Sequence, residues 1–177
     1  MFKKILIAII VSIIAFLIVV AVQPSEFRVT RSATLTAAPA DVFSQVNDFH
    51  KWQAWSPWAK LDPAAKNSFE GPESGNGAVF RWAGNRDVGE GKMTITESRP
   101  NDLIRFNLEF FQPMAGMSFT EFNFKPEGTG THVTWTMSGQ NNFIAKAFCL
   151  FVSMDKMVGG QFEQGLSTLN SIGAAKP

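Results

Sequence analysis

The spacing of apolar positions changes repeatedly along this chain, and each change predicts a different element. Between Ile5 and Val22, 18 residues run without a charge and are broken only by Ser12. As a helix this run is about 27 Å long, close to the hydrocarbon thickness of a bilayer. Residues 27–36 then alternate, with Phe27, Val29 and Arg31 on one parity and Arg28, Thr30, Ser32 and Thr34 on the other, which reads as a strand. Next, Val42, Phe43, Val46 and Phe49 recur at helical spacing after Pro39, a residue suited to a first helical turn. Trp52, Trp55 and Trp58 follow at every third residue, a spacing that predicts one side of a helical or 3₁₀ turn wedged against a sheet.

The remainder alternates with period two. Strands are predicted at 68–70, 78–83, 92–97, 103–111, 118–125 and 132–137, joined by short turns such as Pro100-Asn101-Asp102 and Pro126-Glu127-Gly128. Short connections make antiparallel neighbours, so these strands form a meander. Met93, Ile95, Ile104, Phe106, Leu108, Phe110, Phe122, Phe124, Val133, Trp135 and Met137 share one parity within their strands. The other parity carries Lys92, Arg105, Glu109, Glu121 and His132, so one face is apolar and the other solvated. A long helix over 142–172 supplies a cover, with Ala147, Phe151, Met154, Val158, Phe162, Leu166 and Leu169 as its stripe. Gly159 and Gly160 lie inside it, as a close approach to the sheet or a kink.

Composition narrows the picture. The 177 residues divide into an anchor, 1–25, and one domain, 26–177, large enough to bury a core without disulfides or metals. Net charge is +1 with signs interspersed, which argues against nucleic acid as a partner. No cofactor or metal motif is present: GNRDVGEG at 84–91 lacks the lysine of a phosphate loop. The single cysteine, Cys149, lies in an apolar stretch and reads as an inert buried thiol. There are 17 Phe and 5 Trp but no Tyr, so aromatic area is abundant and a phenolic acid or base is absent. Lys3 and Lys4 precede the apolar run, as they would in a secretory signal peptide, but the run exceeds the usual signal core, and Val20 and Val22 are poor small-residue cleavage positions. The expectation is therefore a single-pass inner-membrane anchor with the domain on the periplasmic side.

One strand, a helical insert, a six-stranded meander and a final helix across the sheet is the helix-grip order. Ala38-Pro39-Ala40-Asp41-Val42-Phe43 leading to Asp48, Trp52 through Pro57-Trp58, Gly77-Ala78-Val79-Phe80-Arg81-Trp82, and Gly130-Thr131-His132-Val133-Thr134-Trp135 carry the resemblance. On these, residues 27–172 resemble the START-like, or SRPBCC, superfamily and within it the polyketide cyclase/dehydrase type. The resemblance implies an α+β helix-grip fold, with a curved antiparallel sheet of six to seven strands and a long C-terminal helix across it. It also implies a cavity for an apolar ligand between sheet and helix.

Three functions fit. The leading one is binding of a hydrophobic small molecule or lipid by Trp55, Trp58, Trp82, Ile95, Phe106, Phe110, Phe122, Trp135, Phe151 and Met154, with methionines able to repack around guests. Core packing is the ordinary role for each of these residues. The second is cyclase or dehydratase chemistry, which needs a positioned acid or base. The candidates His50 with Asp48, and His132, Arg81, Glu97, Arg105, Glu109 and Glu121, fall on expected surface positions. The third is an envelope interaction domain, pointed to by 143–154, FIAKAFCLFVSM, whose only charge is Lys146.

Overall fold

A computed structural model describes residues 1–174. The chain runs as α1 (Phe2–Val22), β1 (Glu26–Leu35), α2 (Pro39–Asn47), a 3₁₀ turn (Phe49–Lys51), α3 (Trp52–Trp55) and α4 (Pro57–Leu61). Six strands follow: β2 (Lys66–Glu70), β3 (Val79–Ala83), β4 (Glu90–Arg99), β5 (Leu103–Gln112), β6 (Gly116–Glu127) and β7 (Gly130–Gln140). Two helices, α5 (Phe143–Cys149) and α6 (Met154–Ala174), close the chain.

The seven strands form one antiparallel sheet in the order β1-β7-β6-β5-β4-β3-β2. β2 to β7 are the expected meander, and β1 returns to pair with β7 along its whole length, from Glu26 opposite Gln140 to Leu35 opposite Thr131. Because successive side chains alternate faces, the register puts Val29, Met137, Thr120, Phe106 and Ile95 in one row on the concave face. Arg31, Trp135, Phe122 and Ile104 form the next row. On the convex face Arg105 bridges Glu97 at 2.8 Å and Glu121 at 2.7 Å. Lys92 pairs with Glu109 at 2.7 Å and Arg81 with Glu70 at 2.6 Å, so the polar parity makes cross-strand ion pairs as its spacing predicts.

The helical insert departs from the expected single turn. Ser56 takes an extended conformation and Pro57 opens a new helix, so Trp58 is re-aimed relative to Trp52 and Trp55. The buried indoles of the first two end on backbone carbonyls: Trp52 donates to Val46 at 2.9 Å and Trp55 to Gln45 at 3.2 Å. Large aromatics can be buried here because their polar atoms are satisfied by the end of α2.

The C-terminal cover also differs from the predicted continuous helix. Residues 150–153 separate α5 from α6, and the apolar stripe splits with them. Val158, Phe162, Leu166 and Leu169 of α6 are buried against the sheet, whereas Phe151 stands at the corner, 78% exposed. Cys149 is half-buried at the end of α5 instead of fully enclosed.

α6 runs unbroken through Gly159 and Gly160. A Cβ at Gly159 would meet the guanidinium of Arg31, while one at Gly160 would meet nothing. Arg31 rises from β1 into that notch. Its Nε donates to Glu163 at 2.6 Å, Nη1 and Nη2 to the Asp155 carboxylate at 2.9 and 3.0 Å, and Nη2 to the Asp155 carbonyl at 3.2 Å. Nη1 also donates to the Thr30 carbonyl at 2.9 Å, so every N–H of the fork is used. The bonds to Asp155 and Glu163 hold the guanidinium charged, and the Arg31 fork holds the Asp155 carboxyl below its ordinary range. A carboxyl depressed on folding contributes stability above its unfolded value and loses it as pH falls through the folded one. An acid titration followed by circular dichroism should therefore show part of the wild-type loss below about pH 4, and Asp155→Asn should flatten that part. Identical acid profiles for the two proteins would refute the linkage.

Candidate functional site

The concave face is packed at its centre and half-open toward β3 and β4. Trp135 lies between Phe122, with ring centroids 4.6 Å apart, and Phe162 of α6, stacked at 3.9 Å and 10°. Trp55 meets both Phe122 and Trp135 edge-on, at 6.2 and 5.7 Å. Gly165 makes room for Trp135: a Cβ there would sit 2.9 Å from the indole ring. Of the ten residues singled out by sequence, Trp55, Ile95, Phe106, Phe122 and Trp135 are all buried core.

Trp58, Trp82, Phe110 and Met154 are only half-buried. Trp82 lies over Gly91, where a Cβ would collide with its ring, and its Nε1 donates to the Val88 carbonyl at 3.0 Å, which fixes it against the β3–β4 turn. Phe110 meets Trp82 edge-on at 6.0 Å and Phe80 stacks on it at 5.9 Å. The register carries this apolar band across the sheet: Phe80 lies opposite Met93, Met93 opposite Leu108, Leu108 opposite Ser118, Ser118 opposite Gly139 and Gly139 opposite Phe27. Phe27, Phe80 and Leu108 are half-buried too, and Trp58 and Met154 pack on the core from the helix side. We refer to this half-buried apolar band, which borders the packed core, as the groove. Phe151 lies outside it on the exposed α5–α6 corner.

The spacing of β6 hid two residues of interest. Ser118 and Thr120 share the concave parity with Phe122 and Phe124, and both are buried. Thr120 Oγ1 and Trp135 Nε1 have no hydrogen-bond partner, and such atoms are uncommon in a folded interior. The alternation of hydroxyl and phenyl in S-F-T-E-F-N-F was the available signal.

Among the described residues, Arg31 is the one ionisable side chain on the concave parity of the seven strands, and it is committed to α6. His50 borders the band at its β2 edge, stacked at 3.9 Å on Phe69, which lies opposite Phe80, with its Nδ1 3.0 Å from Asp48. His132 sits on the convex face, 3.3 Å from Glu127. Glu121 is desolvated, which opposes ionisation, yet the bonds from Asn123 and Arg105 leave its carboxyl below the ordinary range. Among the described residues no three His, Cys, Asp or Glu side chains are grouped to hold a metal.

Two concavities are present among the described residues. One of about 140 Å³ is bordered by the convex-face residues Arg28, Arg105, Asn107, Glu121 and Ser138. The other, about 270 Å³, lies at the β2–β3–β4 edge beside Lys66, Arg81, Trp82, Glu90, Gly91 and Phe111, and so shares Trp82 and Gly91 with the apolar band. Neither lies between the sheet and α6, where the resemblance implies a cavity.

This architecture is shared with proteins of known structure. No curated protein matches by sequence. Among solved structures, protein CV1439 of Chromobacterium violaceum superposes with a TM-score of 0.61 at 16% identity, covering 87% of this chain and 100% of that one. Ara h 8.0201 does so with 0.60 at 12% identity, over 85% and 99%. The Aha1 dimer structure of Colwellia psychrerythraea gives 0.54 at 16% identity, over 84% and 95%. At these identities the likeness is one of fold. The family described as polyketide cyclase / dehydrase and lipid transport matches residues 26–171, nearly the whole of the sheet and its helical cover. With a seven-stranded sheet gripping a C-terminal helix, the chain belongs to that family and, through it, to the START-like, or SRPBCC, superfamily.

Proposed function

We propose that the protein is a membrane-anchored domain that binds a hydrophobic small molecule or lipid without transforming it. The observation that carries this reading is the half-buried apolar band over β3, β4 and β5, from Phe80 and Trp82 to Leu108 and Phe110. Such a band costs solvation free energy while it stays wet, at about 25 cal/mol for each Å² of apolar surface. An apolar guest would remove that cost. Trp135 Nε1 and Thr120 Oγ1 are buried without partners on the same concave face, in the packed centre beside the band. Acid–base catalysis has less support, since among the described residues the one ionisable side chain on the concave parity of the strands, Arg31, is already spent on α6. The family's description includes lipid transport, which fits an apolar guest.

The anchor is the second half of the proposal. α1 is 21 residues long, apolar, and only 6% buried, as a spanning helix or a signal sequence would be. Lys3 and Lys4 favour a cytoplasmic N-terminus, which puts residues 26–177 on the periplasmic side of the inner membrane.

Leu108→Trp should fill the groove from its floor. The full chain purified from bacterial membranes should release an apolar compound to organic solvent, identified by mass spectrometry, and should enhance anilinonaphthalene sulfonate fluorescence. The Leu108→Trp protein should lose most of both signals while keeping its circular dichroism. Equal signals from both proteins, or none from wild type, would defeat the groove as the binding site.

A further inference from the structure

Large apolar side chains that remain exposed outside α1 are not scattered over this domain. Among the described residues of the domain eleven are exposed, and all except Phe69 belong to segments at one end of the sheet. The register identifies that end. Glu26 lies opposite Gln140, Ser118 opposite Gly139, Phe110 opposite Gly116, and Glu90 opposite Gln112. The start of β1, the end of β7, the tip of the β5–β6 hairpin and the β3–β4 turn therefore lie together. Two segments dominate. The hairpin, residues 110–120, holds no charged residue and exposes Phe111, Met114 and Met117. Residues 140–154, containing α5, hold one charge, Lys146, and expose Phe143, Ile144 and Phe151.

The same end carries the exit of α1. Only residues 23–25 separate α1 from β1, and three residues reach at most about 10 Å. The last turn of α1 is also in contact with α5. Val20 is fully buried, Lys146 Nζ donates to the Ala21 carbonyl at 3.5 Å, and the Asn141 N–H donates to the Ser25 carbonyl at 2.6 Å. A helix packed on the final turn of a spanning helix lies at the depth of the lipid headgroups.

From this placement we propose that the β5–β6 hairpin tip and the α5–α6 corner form a second membrane contact, seating this end of the sheet in the bilayer that α1 spans. The inference rests on the anchor reading above. The occupant is lipid and not a protein, because the tether holds the patch at the bilayer and both segments lack the charged rim of a protein interface. The contact also orients the groove. Trp82, Phe110 and Phe27 lie near this end, so a lipid tail can pass from the bilayer onto the apolar band without crossing water.

Single labels on the full chain test the seating. In a Cys149→Ser background, Met114→Cys and Phe151→Cys each carry an environment-sensitive nitrobenzoxadiazole probe. Ile13→Cys marks the anchor, and Ser74→Cys marks the opposite end of the sheet. The protein is reconstituted in phosphatidylethanolamine/phosphatidylglycerol vesicles with or without spin-labelled lipid. The expected result is several-fold stronger quenching by spin-labelled lipid at positions 114 and 151 than at 74, with iodide quenching only 74. If 13 is quenched by lipid while 114 and 151 respond to iodide as 74 does, the second contact is wrong and the anchor stands. Shielding of 114 and 151 from both quenchers would mean that protein covers them, which also overturns the inference. Failure of lipid to quench 13 would overturn the anchor and the contact together.

Discussion

Trp55→Ala should cost the domain about 3–5 kcal/mol, the range for emptying a large aromatic site in a packed core. Trp55 is fully buried, touches Trp52, Phe122 and Trp135, and ends on the Gln45 carbonyl. Domains of this size have about 5–15 kcal/mol in total, so the variant loses a large fraction of its stability. Chemical denaturation of the full chain in detergent, followed by near-ultraviolet circular dichroism, gives the midpoint shift. Trp58→Ala is the matched comparison. Trp58 lies in the same insert but is half-buried at the groove edge, 6.0 Å from Trp135 and 6.3 Å from Phe162. Its loss should shift the midpoint much less and lower dye binding more. Equal midpoint shifts would mean that the division between core floor and open groove is wrong.

Two acidic substitutions in the middle of α1, Ile10→Asp and Ile14→Asp, should release the protein from the membrane. Each aspartate at the centre of a spanning helix costs about 2.5–3.5 kcal/mol on insertion scales. Together they reduce insertion by roughly four orders of magnitude, if the costs add. With alkaline phosphatase fused to the C-terminus, the parent chain should sediment with membranes and be active, and the double variant should be neither. A parent chain recovered in the soluble periplasm, about 25 residues shorter, would identify α1 as a cleaved signal. Activity confined to a cytoplasmic reporter would reverse the orientation.

The sheet was legible because its two faces meet different solvents. Alternation in β5 and β6 placed Phe106, Phe110 and Phe122 on one side and Arg105, Glu109 and Glu121 on the other, and the register keeps them there. The same alternation put Arg31 among apolar neighbours, but its partners, Asp155 and Glu163, lie more than 120 residues away and no local pattern announces them. Breaks in the helices were hidden for a related reason. Pro57 sits at a helix start in one reading and a continuing tryptophan turn in the other, and only the packing of Trp58 on Phe162 separates them. Residues 150–153 contain neither glycine nor proline, so the corner between α5 and α6 has no punctuation.

Site residues divided along the same line. Parity correctly drew the apolar face, yet parity does not report how deep a side chain lies beneath its cover. Trp135 and Phe110 look alike in sequence, each aromatic in an alternating strand, but α6 seals the first through Phe162 while the second stays half-open. Phe151 fell outside because its place in the stripe depended on a helix that does not continue through it.

The three-residue link between α1 and β1 bears on the proposed binding role. Were α1 in the bilayer, a reach of about 10 Å would be shorter than the domain itself, and the domain could not ferry a guest from one membrane to another. The proposed role is then that of a fixed station. A guest would arrive by diffusion within the leaflet and leave the same way, or be handed to a mobile acceptor that comes to it.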